Sequence, residues 1–114
     1  MEGQGATPND FYGTIHRNSC NCYGVPSQQN GNNWHPMGSD LTAGFHTYAA
    51  LWTATTVSWY LDGQFTHSAP VYDSFNQQLH LILYMWIGGW TGGTNSSTPA
   101  ELHTELDWVR VWQR

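Results

Sequence analysis

The sequence predicts an all-β protein, an antiparallel β-sandwich or jelly roll. Three observations predict it. No stretch carries the 3.6-residue apolar periodicity of a helix, six short segments alternate with period two between turn signals, and Asp62-Gly63 is a strong two-residue hairpin signal. The 114 residues show no internal repeat and no linker, so a single domain over 1–114 is expected.

Tyr12 to Arg17 reads as the first full strand. Asn18 to Gly44 follows, rich in Asn, Ser, Gln and Gly and without periodicity, which predicts a long loop that is functional or disordered. Phe45 to Trp52 and Thr56 to Leu61 are the next strands, the latter rich in β-branched and aromatic residues, and Gln64 to His67 returns from the Asp62-Gly63 turn. In Gln78 to Ile87 the odd positions Leu79, Leu81, Leu83, Met85 and Ile87 are all aliphatic. The even positions His80, Ile82, Tyr84 and Trp86 carry rings and polar groups, so period two separates an oily face from an aromatic-polar one. The oily face is expected in the core. The other face fits either a sugar-binding groove, where rings stack on pyranose faces and polar groups hold hydroxyls, or a second, aromatic-rich core. Gly88 to Gly93 is a flexible turn, and Glu101 to Trp112 is expected to close the domain as its last strand.

Composition narrows the ligand. Three Lys and Arg against eight Asp and Glu give a net charge of −5, which argues against electrostatic nucleic-acid binding. Charged residues make up 10% and aromatics 15%, with seven Trp, so the surface is polar-uncharged and aromatic and suits a neutral, hydroxyl-rich partner. No apolar run has membrane-spanning length, and Met1 to Gly5 has neither the basic region nor the apolar core of a signal peptide, so neither membrane anchor nor leader is expected. Cys20 and Cys22 are too close for a well-formed disulfide with each other and read as free or intermolecular thiols. With His16 and His35 they match no zinc spacing, and no Asp/Asn-rich calcium loop is evident, so no metal or cofactor is expected.

Five blocks then carry a resemblance. Asp40-Leu41-Thr42-Ala43-Gly44-Phe45-His46-Thr47-Tyr48-Ala49, Trp52-Thr53, Trp59-Tyr60-Leu61-Asp62-Gly63, Leu81-Ile82-Leu83 ahead of Gly88-Gly89, and Asp107-Trp108-Val109-Arg110-Val111-Trp112-Gln113 occur in order along the chain. Together they resemble glycoside hydrolase family 16, the laminarinase- and lichenase-like β-glucanases. The resemblance implies a concanavalin-like jelly roll whose concave sheet forms a glycan cleft, and hydrolysis of β-1,3- or β-1,4-glucan or of short β-gluco-oligosaccharides.

In that family a strand presents a nucleophilic Glu, an assisting Asp and an acid/base Glu. Met1-Glu2 is similar to the end of that strand, so the resemblance implies Glu2 as acid/base and leaves the other two carboxylates before Met1. A glycosidase needs two carboxyl groups, about 5–5.5 Å apart for retention and about 6.5–9.5 Å for inversion. Asp10, Asp40, Asp73, Glu101 and Glu105 are candidate partners by type, each of which also fits an ordinary solvated or turn carboxylate. His16, in Gly13-Thr14-Ile15-His16, matches a family His beside the catalytic strand and is expected to hydrogen-bond a sugar or tune Glu2, unless it is a satisfied structural residue. Trp34 in the polar loop is a sugar platform or a loop anchor. His80, Tyr84, Trp86 and Trp90 are candidate cleft residues, with Tyr84 and Trp86 bulky enough to narrow the groove. Trp52, Trp59, Trp108 and Trp112 read as packing.

Sandwiches of this kind run to about 200–250 residues, so the chain is expected to supply half a jelly roll. Unpaired edges and an uncovered oily face recruit partners, which predicts a homo-oligomer in which a neighbour completes the fold or even the second carboxylate. Two functions remain open: a glycoside hydrolase, or a lectin-like relic that kept the aromatic groove and lost the chemistry.

Overall fold

The computed structural model describes residues 1–17, 28–36, 40–71, 77–88 and 92–113, with backbone alone at 16–17 and 28–36. They fall into two compact units, Met1–Leu79 and His80–Arg114. The first contains six strands: β1 (Glu2–Gly3), β2 (Asp10–Arg17), β3 (Gln28–Pro36), β4 (Tyr48–Trp52), β5 (Thr56–Leu61) and β6 (Gln64–Pro70). They form two antiparallel sheets of order β1-β2-β3 and β4-β5-β6. No described residue is helical.

The turns follow from local chemistry. Asp62 and Gly63 sit at φ 49° and 78° between the paired residues Leu61 and Gln64, so the predicted hairpin forms with two left-handed residues, the geometry that matches strand twist. Thr53 makes the β4–β5 turn: its backbone N–H donates to the Thr56 carbonyl at 2.8 Å, and its hydroxyl oxygen accepts from the N–H of Thr56 at 3.0 Å. In β6 the register slips by one residue, since Trp59 pairs His67 while Tyr60 pairs Phe65. Thr66 is the extra residue, and its hydroxyl donates to the Trp59 carbonyl at 3.0 Å.

The slip decides what faces inward. Phe65 lies outside against Tyr60, their ring centroids 5.8 Å apart, whereas His67 and Ala69 point into the core with Trp59 and Leu61. From β2, Phe11 and Ile15 meet them, Ile15 packing with Trp59, Ala69 and the half-buried Val57. Phe11 is 1% exposed, its ring edge-on to Tyr48 at 6.2 Å. Between Phe11 and Ile15 stands Gly13, where the two sheets approach closely: a Cβ there would lie 2.5 Å from His67 Cε1 and 2.8 Å from Trp59 Cδ2. His67 stacks on the Trp59 indole at 4.4 Å and 15°, and its Nε2 donates to the Gly13 carbonyl at 2.9 Å. Nε2 carries the hydrogen, because a carbonyl oxygen only accepts.

Several expectations are corrected. The stretch Asn18–Gly44 is not wholly loop, for Gln28–Pro36 is strand β3, held by pairing with β2; Asn and Gln side chains give no apolar alternation from which to read it. Trp34 accordingly lies in a strand, not in a loop. Gln78–Ile87 and Glu101–Trp112 carry no strand pairing among the described residues. The aliphatic positions expected in the core, Leu79, Leu81, Leu83, Met85 and Ile87, are exposed, as are Trp108 and Trp112. Period two records which face a segment would bury, but burial requires a facing element, and the described residues supply none there. Trp59 packs as expected, whereas Trp52 is exposed.

Within the second unit, the Thr104 hydroxyl contacts Met85 Sδ at 3.1 Å, the Arg110 guanidinium lies 4.8 Å over the Trp108 ring, and Asn95 to Thr98 forms a tight turn closed at 3.0 Å. Cys20, Cys22, Asp73 and Trp90 lie outside the described residues.

Candidate functional site

The β1-β2-β3 sheet brings two candidate residues, Glu2 and Trp34, into one register row with Tyr12 between them. Gly3, Gly5 and Pro8 let the chain reverse after β1, with Thr7 N–H donating to the Gln4 carbonyl and Asp10 N–H to the Thr7 carbonyl, both at 3.0 Å. Glu2 then pairs directly with Tyr12, and Tyr12 with Trp34 on β3. Directly opposed residues share a sheet face, so Glu2 and Tyr12 project to the same side, opposite to the side that carries Phe11 into the intersheet core. Asp10 is two residues from Tyr12 on β2, hence on this face as well and diagonal to Glu2. Glu2 is exposed at the sheet edge, while Tyr12 is 7% exposed. Burial raises the Tyr12 phenol above its ordinary pKa, and the negative charges of Asp10 and then Glu2 raise it further.

His16 lies in β2 four residues beyond Tyr12, paired with Gln29, past a register slip between Gly13 and Ile15. The sheet thus brings Glu2, Trp34 and His16 onto neighbouring strands. His80, Tyr84 and Trp86 belong to the second unit and are exposed, with the Tyr84 and Trp86 rings edge to face at 6.5 Å and 64°.

The candidate second carboxylates separate clearly. Asp10 is on the Glu2 face of the same sheet. Asp40 accepts from the backbone N–H of Thr42 at 2.8 Å and from its hydroxyl at 2.6 Å, and these bonds hold its carboxyl below its ordinary pKa; it caps its own turn. Glu101 stands 3.6 Å from His103 and, like Glu105, is exposed in the second unit.

Three structural features were missed in the sequence. Tyr12 was read only as the start of a strand, although a large phenol directly preceding Gly13 in a strand was visible. His67 was read as the end of a strand, and its burial follows from a bulge that leaves no sequence signature. His46 and Asp62 stood inside the resemblance blocks, yet their pairing appears only in three dimensions: His46 Nδ1 lies 2.8 Å from Asp62 Oδ2, and Thr47 N–H donates to Oδ1 at 2.8 Å. The His46 contact and then the Thr47 bond lower the Asp62 pKa.

The family model for glycosyl hydrolases family 16 matches residues 2–110. The chain belongs to this family. It is 28% identical over 130 residues to a glucan endo-1,3-beta-glucosidase A1 from Niallia circulans, covering 99% of this chain and 18% of that protein. A beta-glucanase from Rhodothermus marinus is 28% identical over 126 residues, covering 99% of the chain and 43% of the relative. A beta-glucanase from Paenibacillus macerans is 33% identical over 78 residues, 65% of the chain and 32% of the relative. The chain therefore spans less than half the length of each of these curated relatives. No solved structure matched it. The two packed antiparallel sheets of the first unit accord with the β-sandwich architecture of family 16.

Proposed function

We propose that this family 16 chain acts on β-glucosidic bonds of β-glucans or short β-gluco-oligosaccharides, with Glu2 as general acid/base. The observation that carries the reading is the register row Glu2–Tyr12–Trp34, which sets an exposed carboxylate on β1 and Trp34 on β3 in one row of the sheet, with Tyr12 between them. An acid and a ring on one sheet are what glycosidic cleavage uses: the ring stacks on a pyranose while the carboxyl group protonates the leaving oxygen.

Hydrolysis needs a second carboxylate. Asp10, diagonal to Glu2 on the same sheet face, is assigned as its partner, and a carboxyl separation of about 6.5–9.5 Å would admit a water and inversion. A retaining reaction would instead take its nucleophile from elsewhere, including a second copy of the chain in a homo-oligomer. His16 is assigned to hold a substrate hydroxyl or tune Glu2 and Trp34 to stack a sugar, and in the second unit His80, Tyr84, Trp86 and Trp90 are assigned to sugar binding.

A lectin-like reading is favoured by one specific observation, the exposed edge-to-face pair Tyr84–Trp86, which needs no carboxylate to hold a sugar. The test is reducing-sugar release from β-glucans and aglycone release from aryl β-glucosides, run beside glycan binding for the wild type, Glu2→Gln, Asp10→Asn and Trp86→Ala. Turnover that disappears in Glu2→Gln with binding retained supports the enzyme. Binding that requires Trp86 in a chain without turnover supports the lectin.

A further inference from the structure

We propose that β4 is a dimerisation edge: the strand Tyr48–Trp52 pairs antiparallel with β4 of a second copy of the chain, across a two-fold axis at Ala50. The inference goes beyond the catalytic reading and does not depend on it.

β4 stands at the end of its sheet, whose order is β4-β5-β6, and all five of its residues are exposed. Its register with β5 runs without a slip, and the bonds that flank the strand show which backbone groups this pairing uses. The Thr47 carbonyl accepts from Asp62 N–H at 2.9 Å, and Thr53 N–H donates to the Thr56 carbonyl at 2.8 Å. In an antiparallel ladder these groups alternate, so Ala49 and Leu51 also turn their backbone toward β5. The N–H and C=O groups of Tyr48, Ala50 and Trp52 point the other way, to an edge on which no described strand pairs. Edge strands are ordinarily blunted by Lys, Pro, inward charge or a bulge, and Tyr48-Ala49-Ala50-Leu51-Trp52 has none of these.

The strand is also complementary to itself. About a two-fold axis at Ala50, Tyr48 opposes the partner's Trp52, Ala49 opposes the partner's Leu51, and Ala50 opposes the partner's Ala50. The hydrogen-bonded pairs of that register join Tyr48, Ala50 and Trp52 to the same three residues of the second copy, so every outward backbone group is satisfied. An axis at Ala49 or Leu51 would leave one end of the strand unpaired. The Tyr48 ring meets Phe11 edge-on at 6.2 Å, which places Tyr48, Ala50 and Trp52 on the intersheet side. Each exposed Tyr48 ring then finds the partner's Trp52 across the axis, and cross-strand aromatic pairs stabilise a sheet. The chain carries a net charge of −5, yet β4 brings no charge to the contact, and Asp62 at its start is already engaged by His46 Nδ1 at 2.8 Å. Pairing therefore sets no like charges opposite one another.

The experiment is amide hydrogen exchange of the full chain over a concentration series, with the mass of the same samples read by light scattering. Two chains per particle are expected, and the amides of Tyr48, Ala50 and Trp52 should slow about tenfold or more at free-chain concentrations about ten times the dimer Kd. Ala49 and Leu51, already bonded to β5, should exchange at a rate independent of concentration. Ala50→Pro removes one outward N–H and leaves the β4–β5 ladder whole, because proline is accepted on an edge strand where its nitrogen faces solvent. It is expected to give a folded single chain. Should Ala50→Pro fail to fold, Ala50→Lys keeps every N–H and sets two like charges on the axis, with the same outcome expected. A single-chain mass with fast exchange at Tyr48, Ala50 and Trp52 at every concentration would overturn the proposal. A single-chain mass with those amides protected at every concentration would overturn it as well, since a strand of the same chain would then hold the edge. A larger mass that persists in both variants, with those amides fast throughout, would place self-association elsewhere and reject β4 as its surface.

Discussion

Gly13 is where one missing side chain lets two sheets meet. The carbonyl of this residue accepts from buried His67, and the space its Cβ would need is filled by His67 and Trp59. Gly13→Ala is expected to destabilise the fold by about 1–3 kcal/mol through overpacking, read as a lowered urea midpoint with an unchanged m-value. The sequence offered the glycine inside a strand, a known sign of close approach, but not the identity of the approaching group. At the hairpin, Asp62 titrates with the opposite sensitivity to a buried group. Its folded pKa is lowered by His46 and Thr47, so its contribution is present above its unfolded pKa, about 3.9, and is lost as pH falls below that through the lowered folded value. Asp62→Asn tolerates the left-handed backbone and removes the charge. Its melting temperature should therefore match the wild type more closely at pH 3 than at pH 6, a small difference because the carboxylate is half exposed.

Strands β5 and β6 were the most legible elements because their signals are local. Asp62-Gly63 named its turn, and Thr56–Leu61 has the bounds observed in the structure. Gly63→Ala, at φ 78°, is expected to cost about 1 kcal/mol and to shift the urea midpoint without altering the sheet register. Trp59→Ala removes the ring that Ile15, Ala69 and His67 share, and a loss of about 3–5 kcal/mol is expected by the same measurement. The bulge at Thr66 and the strand β3 were illegible for one reason. Both are made by partners: Thr66 is an extra residue only relative to Trp59 and Tyr60, and β3 is a strand only because β2 supplies its ladder.

At the scale of the whole molecule, the aliphatic residues Leu79, Leu81, Leu83, Met85 and Ile87 are all exposed. If the chain self-associates as proposed, hydrogen exchange of amides 79–87 should slow as protein concentration rises, while β5 amides keep the same protection, and light scattering should give a mass above one chain. Exchange independent of concentration, with a monomeric mass, would set homo-oligomerisation aside. The candidate site was legible in part. Glu2 and His16 were singled out by the resemblance and Trp34 by its isolation in a polar stretch, and the sheet places them on β1, β2 and β3, whereas Tyr12 entered only through its register with Glu2.

What the sequence by itself determined was the all-β class, the hairpin and the family, since period and turn chemistry are properties of short windows and the resemblance of ordered blocks. Only the tertiary structure decided that Tyr12 stands opposite Glu2, that Asp10 joins them diagonally, and that His67 enters the core through Gly13. Those facts depend on register, where one residue of slip reverses every side chain's face, and register is fixed by pairing between segments that no single window contains.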